Sequence, residues 1–118
     1  MGDVTKLEPL VLGYALLTPS GDEAKRIAIE ARLSAFAARS GLMLGAIYFD
    51  GRANATAGFS NLLAAITSCR ATGVVLPSLD DLGERADQRI AQLEDELSVV
   101  IHVAHAVTTL TTASRTRP

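Results

Sequence analysis

Four short apolar runs alternate with longer stretches in which apolar residues recur every three or four positions, and this alternation restricts the fold more than any other feature of the chain. The runs are Leu10–Leu17, Leu42–Phe49, Gly73–Pro77 and Val99–Val103. They are almost unbroken, as suits strands covered on both faces of a parallel sheet. Between them the periodicity predicts helices over 22–40, with Ile29, Leu33, Phe36 and Ala37 inward, and over 58–72, with Phe59, Leu62, Leu63 and Ile66 inward. Gly41 and Gly73 close these helices, because glycine accepts the left-handed conformation that ends a helix. Asp81 and Glu84 have capping-box spacing and predict a third helix from near Leu82 to about Leu97. Ala86, Ile90, Leu93 and Leu97 line its apolar face, and Glu84, Arg85, Asp87, Arg89, Glu94, Asp95 and Glu96 cover the rest. The β-α-β-α-β-α-β order predicts an α/β fold: an open, mainly parallel four-stranded sheet with helices on both faces, in three layers. Residues 1–8 read as a loose leader, 9–104 as one domain, and 105–118 as a Thr-rich tail or short final element.

Composition narrows the function. The 118 residues are 48% hydrophobic and 20% charged, enough to bury a core. Only 4% are aromatic and none is Trp, so that core is aliphatic. The formal net charge of −2 supplies none of the basic excess expected of a free-standing nucleic-acid binder. Cys69 is the single cysteine, which rules out an internal disulfide and a cysteine-rich metal site. No basic-then-apolar leader opens the sequence. No apolar run approaches the roughly 20 residues that cross a bilayer. The expected setting is cytoplasmic, away from membranes.

Few residues carry chemistry. Thr18 and Ser20 fall on the turn from the first strand to the first helix, a place suited to an anion. Capping by Thr18, Ser20 or Asp22 is the preferred reading, since Asp22 and Glu23 already answer the helix dipole. His102 and His105 lie three apart on or beside a strand and so face opposite sides, which disfavours a metal pair. Asp80 and Asp81 at the end of the third strand could bind magnesium, with Asp50 as a third carboxylate at the same edge, but helix capping is the preferred role. No metal and no cofactor is expected. Cys69 reads as a small core residue.

Three stretches in order resemble the catalytic domain of resolvase/invertase-type serine recombinases. They are Gly13-Tyr14-Ala15, then Phe36-Ala37 through Gly41-Leu42 to Phe49-Asp50, then Leu79-Asp80. Gly58-Phe59 followed by Leu62-Leu63 matches a further helix of that family, and the similarity spans about Leu10 to Val103. The resemblance implies a resolvase-like fold, and it implies that the catalytic set has been replaced. Leu16 stands where the family has the Arg that holds the scissile phosphate, and Thr18 where it has the nucleophilic Ser. Thr56, Asp81 and Glu84 stand at three further Arg positions, Gly83 at a Ser, and Asp80 alone is retained. Phosphoryl transfer depends on cationic stabilisation and positioning, and one such donor is worth about 10²–10³ in rate. Exchanging these guanidiniums for apolar, hydroxyl and carboxylate side chains leaves neither recombination nor DNA binding to expect.

The expectation is therefore a non-catalytic recombinase-like domain acting through protein contacts, as a homodimer or with a hetero-partner. Its interface is expected at Ile90, Leu93 and Leu97 of the third helix and at Val107 and Leu110 of the tail. The family's dimerising elements lie at and beyond this point. In that family a long helix and a DNA-binding domain follow, and neither is expected in these 118 residues. The alternative is a small-ligand or metal-binding enzyme using Thr18, Ser20, Asp50 and Asp80 at the carboxyl-end edge of the sheet.

Overall fold

A computed structural model describes residues 8–17, 23–51 and 57–104. Strand β1 (Leu10–Leu17), helix α1 (Glu23–Ser40), strand β2 (Met43–Gly51), helix α2 (Ala57–Cys69) and strand β3 (Gly73–Leu76) follow one another. After β3 come a 3₁₀ segment (Leu79–Arg85), helix α3 (Ala86–Ala91), a π turn (Gln92–Glu96) that continues it, and strand β4 (Val100–Val103). The four strands pair in the order β2-β1-β3-β4, every pair parallel, so the expected α/β sheet forms.

The unbroken apolar runs are explained by burial on both faces. On β1, Leu12, Tyr14 and Leu16 face one side, where Phe59, Leu62 and Ile66 of α2 and Leu82 and Leu93 of the third helical region pack on them. Val11 and Val75 face the other side, against Leu33 of α1. Successive side chains on a strand point to opposite faces, so the two central strands have no polar face. The path through α1 leads outward from β1 to β2, and the path through α2 leads back across to β3. The chain thus reverses its direction of travel between β1 and β3.

Several boundaries differ from the sequence reading. β2 runs through Asp50 to Gly51 because Leu16 and Leu17 of β1 stay in register with them. α2 stops at Cys69, which is exposed, in correction of its expected core position. Ala71 takes the core place once the chain has turned back to the sheet. The capping box after β3 is Ser78 with Asp81, not Asp81 with Glu84, and the first turn there is 3₁₀. Leu93 is wholly buried, so its place in an expected interface is corrected: it belongs to the core under the sheet. Ile90 and Leu97 are half-buried against the same cluster, and Val107 and Leu110 lie outside the described residues.

Candidate functional site

Ligands of open parallel sheets gather at the carboxyl ends of the strands, in the crevice where the chain's direction reverses. Here that crevice lies between the ends of β1 and β3. Two buried carboxylates sit beside it, and each is held by the ends of secondary structure.

Asp50 is 8% exposed and accepts three hydrogen bonds. Two come from the backbone N–H groups of Gly58 (2.6 Å) and Phe59 (2.9 Å), at the start of α2. The third comes from the Tyr14 hydroxyl at 2.7 Å. Asp50 therefore caps α2 from the neighbouring strand and answers its dipole. Residue 58 has to be glycine for this arrangement: a Cβ there would collide with the Phe49 carbonyl and lie 2.9 Å from Asp50 Cγ. Arg89 completes the cluster. Its guanidinium lies 4.1 Å from the Phe59 ring centroid and donates to Tyr14 Oη (3.5 Å) and to the Leu82 carbonyl (3.4 Å). Burial, then the hydrogen bond to Asp50 and its charge, push the Tyr14 phenol well above its ordinary ionisation range, with Arg89 opposing weakly.

Asp81, also 8% exposed, binds strand ends rather than a ligand. Its Oδ1 accepts from the Leu16 N–H at 2.9 Å and its Oδ2 from the Ser78 N–H at 3.2 Å. One carboxylate thus clamps the end of β1 to the turn that leaves β3. The following Gly83 has φ 80° and ψ −161°, a conformation open essentially to glycine alone.

Between α1 and these strand ends lies a cleft of about 490 Å³ lined by Leu16, Ile29, Pro77 and Ser78, with Lys25 and Arg32 reaching it from α1. A seven-residue spacing puts Lys25 and Arg32 on one side of α1. Apolar periodicity does not mark Tyr14 and Arg89 as polar partners. Tyr14 supplies the only hydroxyl in the β1 run, which was a usable signal, whereas Arg89 was placed on the solvent face of its helix and instead lies half-buried beside Phe59.

Of the expected ligand set of Thr18, Ser20, Asp50 and Asp80, only Asp50 and Asp80 are among the described residues. Thr18, Ser20 and Thr56 lie outside them, Asp50 is occupied by α2 and Tyr14, and Asp80 and Glu84 are exposed. No group of three or more His, Cys, Asp or Glu among the described residues is placed to hold a metal ion, which removes the three-carboxylate alternative. His102 packs beside Phe36, with ring centroids 5.9 Å apart, and His105 lies outside the described residues. No described helix is long and apolar enough to cross a membrane.

The fold is similar to that of a serine recombinase catalytic domain. Among solved structures, the C-terminal catalytic domain of ISC1926 TnpA, an IS607-like serine recombinase, superposes with a TM-score of 0.70 at 18% identity, over 85% of this chain and 72% of that one. No family model and no curated protein matches the sequence.

Proposed function

We propose that this domain is a non-catalytic member of the recombinase fold that works by binding, through contacts with a second copy of itself or with another protein. One observation carries the reading: the side chains at two positions where the resemblance implies phosphate-holding arginines are committed to the fold. Leu16 is 5% exposed within the core cluster, and both Asp81 oxygens are taken by backbone donors. A carboxylate held beside the strand ends raises the energy of a phosphate brought there, and Leu16 offers it no compensating donor. Exposed Asp80 and Glu84 extend the unfavourable field toward an incoming duplex.

Supercoiled plasmid incubated with the purified chain should stay supercoiled, and duplex DNA should show no saturable binding at physiological salt. Gel analysis and fluorescence anisotropy check the two outcomes. A covalent protein–DNA adduct at Thr18 sinks the reading.

A further inference from the structure

We propose that the outer face of α1 docks on the third helical region of a second copy of this chain, so that copies join head to tail. The inference rests on the self-binding arm of the proposed function and names an interface for it. Its first support is that α1 is apolar on both sides. Leu33 and Ala37 are buried against the sheet, yet Ile27, Ala31, Ala35 and Ala38 on the opposite side are exposed, Ile27 to 55%. A helix that covers a sheet ordinarily turns polar residues to solvent, and one that is apolar all round is ordinarily covered all round. Its second support is charge. α1 carries four cations against two carboxylates, whereas residues 79–96 carry seven carboxylates against two arginines. All of those carboxylates except Asp81 are exposed.

The two surfaces match in pitch. Arg32 and Arg39 stand seven residues apart on α1, about 10 Å along the axis, with Ala35 between them on the same side. Asp87 and Glu94 have the same separation, with exposed Ala91 between them. A cation–alanine–cation row on one copy thus meets an anion–alanine–anion row on the next. The small central residues let the helices approach to about 8 Å. The surfaces lie on opposite sides of the sheet, α1 over Val11 and Val75 and the third helical region over Leu12 and Leu16, so one chain cannot bring its own two together. For the same reason one twofold partner cannot satisfy both, and the contact repeats from copy to copy. A second α1 is a poorer partner, since its Glu30 already pairs with Arg26 at 3.6 Å and the helix is net cationic.

Light scattering of the full chain should show a mass that grows past that of a dimer as the concentration nears the millimolar range. The growth should shrink in about 1 M sodium chloride, where charges are screened beyond about 3 Å. Arg32→Glu with Arg39→Glu should weaken it at least tenfold, and Asp87→Lys with Glu94→Lys should do the same. Mixed in equal amounts, the two variants should grow together again, because every contact then joins opposite charges. Amide resonances of Ala31, Ala35 and Ala91 in the unaltered protein should move with concentration, a readout that survives if a variant fails to fold. A constant monomer mass overturns the inference and the self-binding arm together. Growth that ignores both variants overturns the inference alone, with self-binding left to another surface. Resonance shifts confined to other surfaces, or no recovery on mixing two folded variants, overturn it as well.

Discussion

Tyr14 carries a hydroxyl into a strand that is otherwise aliphatic, and burial decides what that hydroxyl does. With no exposed surface and the Asp50 carboxylate 2.7 Å away, it stays protonated as a donor. The pH consequence has a definite sign. The folded state holds the proton above its ordinary range, while an unfolded tyrosine releases it near pH 10. Below about pH 10 both states are protonated and the contribution to stability is complete. Above it the unfolded chain alone loses the proton, and this contribution falls by up to about 1.4 kcal/mol per pH unit. Urea denaturation at stepped alkaline pH should show the decline, and Tyr14→Phe should flatten it. An equal decline in that variant refutes the assignment. Gly83 makes a second residue-scale prediction. A serine at this position places a Cβ at φ 80° and ψ −161°. Gly83→Ser should lower stability by about 1–3 kcal/mol, measured by denaturant midpoint, and a neutral outcome means the turn adopts another conformation. Asp50→Ala should cost on the order of 3 kcal/mol, since it removes a helix cap and strands a buried phenol.

Each helical segment returns to the sheet through a residue with positive φ, and only one of the three is glycine. After α1 it is Gly41 (φ 71°), followed by a Leu42 N–H to Ala37 carbonyl bond of 2.9 Å. After α2 it is Arg70 (φ 59°), with Ala71 N–H bonded to the Ile66 carbonyl at 3.2 Å; after the π turn it is Ser98 (φ 57°), with Val99 N–H bonded to the Leu93 carbonyl at 3.0 Å. A left-handed non-glycine residue costs about 1–2 kcal/mol, and glycine gives back about half of that in unfolded-chain entropy. Arg70→Gly and Ser98→Gly should therefore each stabilise the domain by about 0.5–1 kcal/mol, raising Tm by a few degrees. An unchanged or lower Tm in both variants contradicts this account of the helix ends. The same comparison explains what was legible in the sequence. Gly41 announces the end of α1, whereas Arg70 carries no such signal, and α2 was read three residues too long. The third helix was misplaced for a related reason. Ser78 and Asp81 have the same spacing as Asp81 and Glu84, and only the pull of Asp81 toward the Leu16 N–H selects the earlier pair. The order of elements and the core stripes followed from periodicity. Arg89 did not, because a guanidinium turned inward over an aromatic ring looks in sequence like any other charge on a helix.

At the scale of the molecule the two sides of the sheet are unequal. One side carries the large cluster under α2 and the third helical region, and the other carries the smaller cluster under α1. The third helical region spends Leu93 on its own core and half-buries Ile90 and Leu97, leaving less apolar surface for a partner than the sequence suggested. β4 is different. Val100 is 57% exposed, and among the described residues this strand pairs only with β3. Exposed strand edges invite further pairing, and a twofold contact is the commonest way to cover them in a homo-oligomer. Self-association should appear as a rise in mass by light scattering across a tenfold concentration range, and Val107→Asp with Leu110→Asp should reduce it while leaving the sheet folded. A constant monomer mass shifts the binding role to a different protein. The Asp81 clamp, finally, bears on how such a chain can change over generations. Arginine at residue 81 would remove the acceptor of two backbone donors, so the first step toward a phosphate-gripping edge loosens the joint that holds the strands in place. Such a change is uphill from its first mutation, and selection for a folded chain alone disfavours it.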